Sequence, residues 1–249
     1  MIGIELRAWV YTAEQLEQAL GCEDIAAVYV PIRLAGEPLC EYAEKVILLP
    51  PEYLADCEDR VERELAELRE DGFTRALAHT VGHIELLQRC GYNVCGGNRL
   101  NCTNSVTARF LAECGLCDII LSPELTVRRI NSIEKPVETG FIAYGRLPLM
   151  LNRRCPIKDG KPCGKPNCGE SLTDRKGNKL RVICSDNTVE ILNSDVLMLN
   201  GRMNEFRTDF AVLRFTDETD ILPTVALYAS DTASEKENIT RGLYYRGVK

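Results

Sequence analysis

An α/β fold is predicted by two features of the 249-residue sequence: short apolar runs alternate with amphipathic stretches, and the runs recur at a regular spacing. The spacing of about 20–30 residues is that of one parallel strand with its crossover. Eight such units in a chain of this length predict a (β/α)8 TIM-like barrel. An open doubly wound sheet is the alternative with the same periodicity. The predicted strands cover residues 2–10, 25–30, 46–49, 75–78, 93–95, 119–121, 137–144 and 210–215.

The first helix is predicted over residues 12–20 by its boundary residues. Thr12 is a candidate N-cap, and Gln15 follows three positions later, which is the spacing of a capping box. Gly21 is a typical stop signal. The segment that follows, IAAVYV at residues 25–30, is apolar throughout and therefore predicts a strand that is covered on both faces.

The next predicted helix spans residues 57–71 and is amphipathic. Val61, Leu65 and Leu68 form one apolar stripe among Glu and Arg side chains, so this face should pack against a core. A further helix is predicted over residues 105–114. These helices fall between predicted strands, as a barrel requires.

Composition and charge exclude several classes of protein. Hydrophobic residues make up 45% and charged residues 27%, which excludes a disordered or fibrous chain. The net charge of −7 argues against a generally basic coat for nucleic acid. No apolar run reaches the length of a membrane span, and the N-terminus lacks a signal-peptide core, so we expect a cytoplasmic protein without a membrane partner. No glycine-rich phosphate loop follows the first strand, which leaves nucleotide binding unsupported.

The regular alternation stops between the seventh and eighth strands, at residues 151–195. We interpret this stretch as an insertion within a single barrel domain of residues 1–249. It is rich in Gly, Pro and Lys, and its four cysteines are Cys155, Cys163, Cys168 and Cys184. Four thiols in a segment without a hydrophobic core indicate a metal or cluster site, either Zn or iron–sulfur, although the paired CxxC knuckles common in zinc sites are absent. Unliganded cysteines or a cytosolic disulfide pair are the remaining alternative.

The same insertion predicts a β-hairpin and a local positive charge. RVIC and NTVEIL flank Ser185-Asp186-Asn187, which predicts a hairpin around residues 179–192. Residues 151–184 hold nine Lys or Arg against three Asp or Glu, a net charge of +6. Such a basic segment could follow a nucleic-acid backbone, and a solvated charged loop is an equal alternative. The basic residues concerned are Arg153, Arg154, Lys158, Lys161 and Lys165.

The remaining cysteines and the two histidines are predicted to be structural. The other eight cysteines are dispersed over strands, helix ends and turns, as small buried hydrophobes are. Cys114 and Cys117 form a CxxC pair across a helix end, without the context of a redox fold. His79 and His83 have the spacing of a metal pair on a helix, but Gly82 favours a turn there, and a zinc hydrolase is not favoured.

Polar residues stand directly after three of the predicted strands. In a barrel these strand ends form the face on which active sites assemble. Glu124 and Arg146 are the predicted catalytic residues, with Arg146 as a bidentate partner for an anionic group. Helix capping is an alternative role for Asn104. The predicted substrate-binding residues are Asn98, Asn101, Asn104, Ser122 and Tyr144.

Five segments, in order along the chain, resemble peptidase family U32: GGNRLNCTNS (96–105), LSPELTVRRI (121–130), YGRLPLMLNRRCPI (144–157), LTDRKG (172–177) and EILNS (190–194). The resemblance implies an incomplete or distorted TIM-like barrel with a 4Fe–4S cluster on Cys155, Cys163, Cys168 and Cys184. Zn is the alternative metal.

The resemblance also carries an expectation about function. Related members act in oxygen-independent hydroxylation of RNA bases or of the ubiquinone ring, and others are called collagenase-like proteases. We therefore expect a cluster-dependent modification enzyme or subunit with RNA or a small aromatic as substrate. A collagenase-like protease and a non-catalytic, metal-stapled binding module are the alternatives. Many relatives are longer, which makes a second family subunit a candidate partner.

Overall fold

The computed structural model describes residues 3–158, 160, 170–185, 188–233 and 239–247. Cys163 and Cys168, two of the four predicted cluster ligands, lie outside these residues. The same holds for Lys161 and Lys165 of the predicted basic segment.

Eight parallel strands form a closed barrel. Each strand pairs with the next, and the eighth closes the barrel by pairing with both the first and the seventh. The predicted (β/α)8 TIM-like barrel is therefore confirmed, and the open sheet is excluded. The barrel strands are β1 (Glu5–Trp9), β2 (Ile25–Pro31), β3 (Val46–Leu49), β4 (Arg75–Ala78), β5 (Asn93–Gly96), β6 (Leu116–Ile120), β7 (Glu138–Gly145) and β13 (Phe210–Arg214).

Helices connect most of the barrel strands. Between β2 and β3 the chain instead forms two short 3-10 helices, Ile32–Leu34 and Glu37–Tyr42. The α-helices are α1 (Ala13–Gly21), α2 (Glu58–Glu70), α3 (Val81–Arg89), α4 (Ser105–Glu113), α5 (Val127–Ser132) and α6 (Leu222–Ala229).

The N-terminal capping signal of α1 and the packing signal of α2 are confirmed, whereas α1 includes Gly21 and ends one residue later than predicted. The Thr12 side chain accepts a hydrogen bond from the Gln15 backbone, and the Gln15 side chain returns one to the Thr12 backbone, which completes the capping box. In α2 the buried residues are Val61, Leu65 and Leu68, the predicted apolar stripe. In both helices, local sequence and tertiary packing favour the same conformation.

The turn predicted around Gly82 is wrong, because α3 runs through this position. Thr80 occupies the N-cap position, and Gly82 is the second residue of the helix. Three apolar residues of α3, among them Ile84 and Leu87, are buried against the barrel. Burial of this face outweighs the cost of about 1 kcal/mol for a glycine within a helix.

The insertion folds as a four-stranded antiparallel sheet. Its strands are β8 (Pro148–Asn152), β9 (Ser171–Thr173), β10 (Lys179–Ser185) and β11 (Thr188–Leu192), in the spatial order β8–β11–β10–β9. The central strands β10 and β11 confirm the hairpin predicted around residues 179–192. Two short strands extend the barrel sheet beyond β7: β12 (Val196–Met198) and β14 (Ile239–Thr240).

The two faces of the insertion sheet have different surroundings. On one face, Ile183 pairs with Glu190, and Ile183 and Leu192 belong to the main core of the barrel. On the opposite face, Cys184 pairs with Val189 in a separate small cluster of buried residues. Successive side chains of a strand alternate between faces, so the sheet covers the barrel with one face and builds its own core with the other.

No helix in the described part of the chain is long and apolar enough to span a bilayer.

Candidate functional site

A buried ion pair joins the insertion to the end of the barrel. Glu190, on β11, accepts hydrogen bonds from Arg214, the last residue of β13, and from Arg99, which lies in the turn after β5. The side chains of Glu190 and Arg214 are each 3% exposed. Both charges are therefore removed from water, and each needs the other to compensate for its lost hydration.

Two further side chains complete this group. Tyr11 follows β1, and its hydroxyl accepts a hydrogen bond from Arg214 and lies 3.4 Å from Glu190 Oε2. Glu52 follows β3, and its Oε2 lies 2.7 Å from Arg99 Nε. These residues come from the carboxyl ends of four barrel strands and from the insertion. We call Tyr11, Glu52, Arg99, Glu190 and Arg214 the mouth cluster.

The two carboxylates of the mouth cluster differ in pKa. Burial and the neighbouring Glu190 carboxylate raise the pKa of Glu52 to about 8. Burial also opposes ionisation of Glu190, but Arg214 and Arg99 outweigh it and hold the pKa of Glu190 below its usual range. At neutral pH, Glu52 therefore carries a proton while Glu190 is charged. Such a difference in pKa between two neighbouring carboxyl groups is typical of acid–base pairs in enzymes.

The two histidines lie beside the mouth cluster and have structural surroundings. His83 Nδ1 lies 2.7 Å from Thr80 Oγ1, and its Nε2 lies 3.0 Å from the Pro51 carbonyl oxygen, so both ring nitrogens are occupied. His79 is buried, with its ring centroid 5.6 Å from that of His83. Burial lowers the pKa of both histidines, which keeps them uncharged at neutral pH. The HTVGH segment therefore does not form a zinc pair.

The predicted asparagines lie in the segment between β5 and α4. Asn98 begins a 3-10 turn, and Asn101 ends it with a left-handed backbone at φ 51°. The Asn104 side chain caps α4, because its Oδ1 accepts a hydrogen bond from Thr107 N at 2.9 Å. The capping role considered for Asn104 is thus present in the structure.

The structure does not bring the two predicted catalytic residues together. Glu124 is exposed and lines a cavity of about 410 Å³ with Arg129 and Arg246. The buried hydroxyl of Ser122 accepts a weak hydrogen bond from the Glu124 backbone at 3.4 Å. Arg146 lines a different cavity, so a mechanism that uses Glu124 and Arg146 in one step has no support in the geometry.

Tyr144 and Arg146 contact neighbouring acidic residues in the loop after β13. The buried Tyr144 hydroxyl donates to Glu218 Oε1 at 2.8 Å. Arg146 Nε lies 3.5 Å from Asp217 Oδ1, and Arg146 also donates to the carbonyl oxygen of Ser194. These contacts hold both predicted residues at the end of the barrel, near the insertion.

The cavity beside Arg146 is positively charged. It has a volume of about 610 Å³ and lies between the insertion sheet and the segment that follows β11. Asp217 accepts from Arg181 at 2.9 Å and so links the insertion to the barrel. We call this cavity the cationic cleft; its lining residues are Arg146, Ser171, Asn178, Lys179, Arg181, Ser194 and Asp195.

Two of the predicted cluster ligands lie in the small core of the insertion. Cys155 is 3% exposed and Cys184 is 1% exposed, and both belong to the cluster on the sheet face that points away from the barrel. The Cys155 backbone donates to the Gly160 carbonyl at 2.8 Å. Cys163 and Cys168 lie outside the described residues. Cys95 and Cys102, by contrast, belong to the main core of the barrel.

Reasoning from the sequence missed the mouth cluster, although its residues stand at predicted strand ends. Arg99 lies within GGNRLN and Glu190 within EILNS, two segments that carry the family resemblance. Arg214 lies inside the apolar run FAVLRF of the eighth predicted strand. A charged residue inside or just after an apolar strand was the available signal. The partners could not be read from it, because Glu190 and Arg99 are 91 positions apart.

Comparisons with known proteins agree with this architecture. The family model described as "Peptidase family U32" matches residues 47–170. No curated protein matches the chain. The solved structure of the U32 peptidase Mk0906 is similar to this chain with 12% identity and a TM-score of 0.50, over 86% of this chain and 94% of that chain. At that identity the likeness shows the fold alone.

A second solved structure, the spore cortex-lytic enzyme SleL of Bacillus megaterium QM B1551, aligns with 10% identity and a TM-score of 0.39. That alignment covers 95% of this chain and 74% of the SleL chain, and its TM-score is too low to carry an argument. The family-model match identifies the group to which the molecule is related. This chain belongs to peptidase family U32.

Proposed function

We propose that this chain is an iron–sulfur protein that takes part in the oxygen-independent modification of RNA. The observation that carries the proposal is the placement of Cys184 and Glu190 on opposite faces of one pair of strands. One face holds two of the four predicted ligands, and the other covers the mouth of the barrel with a buried, charged group. The insertion thus connects a thiol-rich core to the end of the barrel where catalytic residues assemble.

The donor atoms fit a 4Fe–4S cluster. Cys155 and Cys184 are two of the five buried residues in the small core of the insertion. A core of this size supplies little burial energy, and metal–thiolate bonds could supply the remainder. The net charge of +6 over residues 151–184 would offset the negative charge of a thiolate-bound cluster. Cys155, Cys163, Cys168 and Cys184 would hold the cluster, which supplies one-electron transfer when bound.

In this proposal the mouth cluster donates and accepts protons, and the insertion sheet that covers it excludes water. Glu52 holds a proton on its carboxyl group at neutral pH, since its pKa is raised to about 8. Arg99 contacts both Glu52 and Glu190 and so fixes the distance between the two carboxyl groups. The insertion sheet covers this group, which keeps it in a low-dielectric environment where a proton donor is most effective.

The cationic cleft favours RNA over a small aromatic molecule as the substrate. Three cationic side chains, Arg146, Lys179 and Arg181, and one carboxylate, Asp195, line this cavity, so its lining carries a net positive charge. Ser171 and Asn178 add hydrogen-bonding groups. Phosphate oxygens are the natural partners of such a set. The acidic remainder of the chain would limit contact to this region.

Anaerobic purification with iron, sulfide and zinc analysis tests the cluster. We expect about four irons and four sulfides per chain, together with the broad visible absorbance of a cluster. Colourless protein that holds zinc, and loses this zinc when Cys184 is replaced by Ala, would refute the iron–sulfur proposal and support a metal-stapled binding module, the second candidate. That candidate is favoured by the position of Cys155 and Cys184 in a core of their own.

A deletion strain tests the reaction. We expect mass spectrometry of its transfer and ribosomal RNA to show the loss of one modification, which the wild-type gene restores and the Cys184→Ala variant does not. Unchanged RNA would refute the assignment of RNA as substrate. A casein or collagen cleavage assay under reducing conditions tests the protease alternative directly.

A further inference from the structure

A second group of possible metal ligands lies outside the insertion, on two neighbouring strands of the barrel wall. Cys95 on β5 and Cys117 on β6 have their sulfur atoms 3.6 Å apart. One atom from each of Cys95, Cys117 and Asp118 lies within 4.8 Å of the others, and no other group of this kind occurs among the described residues. In the CxxC motif of the sequence, Cys117 had Cys114 as its apparent partner; in the structure its neighbour is Cys95.

A local irregularity of the sheet brings these residues together. Val94 pairs with Leu116, but Cys95 pairs with Asp118, so Cys117 is an extra residue between the two pairs. Such a bulge changes the direction of a side chain and interrupts regular pairing. As a result, two consecutive residues of β6 both approach Cys95.

Asp118 has one oxygen that the rest of the protein leaves unused. Its Oδ2 accepts from Arg7 Nη1 at 2.6 Å, whereas its Oδ1 is buried and has no hydrogen-bond partner. Asp118 is 3% exposed. A buried carboxylate oxygen without a partner is costly, and a cation beside the two sulfur atoms would satisfy it.

We propose that Cys95, Cys117 and Asp118 bind a zinc-type divalent cation, with water as the fourth ligand. Zinc accepts this mixture of thiolate and carboxylate ligands in tetrahedral sites. With Zn–S bonds of about 2.3 Å, tetrahedral geometry places two sulfur ligands about 3.8 Å apart. The observed separation of 3.6 Å is close to that value.

Charge and access are both suitable for this site. The charges of two thiolates, one carboxylate and a divalent cation sum to −1. The neighbouring Arg7 guanidinium compensates this negative charge. Cys117 is exposed, so the cation can enter without opening the barrel. A site in the wall between β5 and β6 would stabilise the barrel.

Cobalt binding to the reduced full-length chain tests the proposal. To keep the insertion from contributing, the measurement uses the Cys155→Ser/Cys184→Ser background. We expect one Co²⁺ per chain, with thiolate charge-transfer absorption and the visible bands of tetrahedral cobalt. Adding Cys117→Ser should weaken binding more than about 100-fold, because loss of even an outer contact of a metal site costs 10–100-fold. Adding Cys114→Ser instead, as a matched control, should leave the bands unchanged.

Thermal unfolding gives a second readout. At a free zinc concentration of about 100 Kd, the melting temperature should rise by about 5–10 °C, and Cys117→Ser should abolish this rise. Cobalt spectra that are absent, or unchanged by Cys117→Ser, would overturn the proposal. This result would be distinct from failure of the iron–sulfur proposal, because Cys117→Ser in the wild-type chain should leave the iron content unchanged.

Discussion

Glu190 of the insertion and Arg214 of the last barrel strand form an ion pair in which both side chains are 3% exposed. The pair lies where the insertion sheet covers the barrel, and Arg99 contributes a second cation to the same carboxylate. The insertion is therefore held to the barrel by buried charge as well as by apolar contacts. Loss of the Glu190 carboxylate would therefore remove the partner of two cations, Arg214 and Arg99.

Glu190→Ala is predicted to lower the free energy of unfolding by about 3–5 kcal/mol, because it leaves Arg214 buried without its partner. Urea unfolding measures the change. The double variant Glu190→Leu/Arg214→Met should lose less, since it removes both charges. Glu64→Ala is the control: it breaks the exposed pair of Arg60 and Glu64 and should cost no more than about 0.5 kcal/mol. Equal losses in Glu190→Ala and Glu64→Ala would contradict the prediction.

Glu52 is predicted to make stability depend on pH. Its folded-state pKa of about 8 lies above the ordinary value of 4.5, so the folded state binds more protons between these two values. The free energy of unfolding should therefore fall as the pH rises from about 4.5 to 8, by at most about 5 kcal/mol. Glu52→Gln should remove this decline, which urea unfolding at a series of pH values would show. Parallel pH profiles for the two proteins would refute the raised pKa.

Asn104 is predicted to act as a helix cap. Asn104→Ala should lower the free energy of unfolding by about 1 kcal/mol, because Thr107 N loses its acceptor. Asn104→Ser should retain most of this stability, since serine is also a favourable N-cap. Thermal unfolding distinguishes the variants. If Asn104→Ser keeps its stability and loses RNA modification, Asn104 also contacts the substrate.

The cysteines of the insertion are predicted to differ from those of the barrel. Replacing Cys155, Cys163, Cys168 or Cys184 singly by Ala should lower the iron content, because a cluster that lacks one ligand is open to solvent and oxidation. Cys22→Ala and Cys90→Ala are the controls, since both side chains pack against the main core of the barrel. These should leave the iron content unchanged and cost about 1 kcal/mol of stability.

The same series tests the ligand assignment itself. Iron and sulfide analysis after anaerobic purification provides the measurement for all six variants. Iron retained in any of the four insertion variants would show that this cysteine is not a ligand.

The cationic cleft is predicted to bind RNA through its phosphate groups. Lys179→Ala and Arg181→Ala should each weaken RNA binding and reduce the slope of log K against log salt by about one unit. Arg63→Ala, which removes an exposed cation from α2, should change neither quantity. Fluorescence anisotropy with labelled RNA at several salt concentrations measures both. An equal effect of all three substitutions would indicate non-specific attraction rather than a binding cleft.

Much of the barrel is determined by local patterns in the sequence. The strands at Val46–Leu49 and Arg75–Ala78 and the helix at Glu58–Glu70 lie where apolar runs and amphipathic spacing predict them. These signals are local, because alternation of faces and helical period depend on residues a few positions apart. The hairpin of the insertion follows from the same kind of signal, two alternating runs around a turn.

Tertiary structure alone decided which charged residues meet. Arg214 and Glu190 are 24 positions apart, and Tyr11 contacts Arg214 from 203 positions away. Their contact therefore depends on barrel closure and on the side of the insertion sheet that faces the barrel. Cys117 likewise lies beside Cys95 rather than Cys114 because of a one-residue bulge in β6. Periodicity specifies which face of a strand is apolar, but it carries no information about the partner that a buried polar side chain finds across the fold.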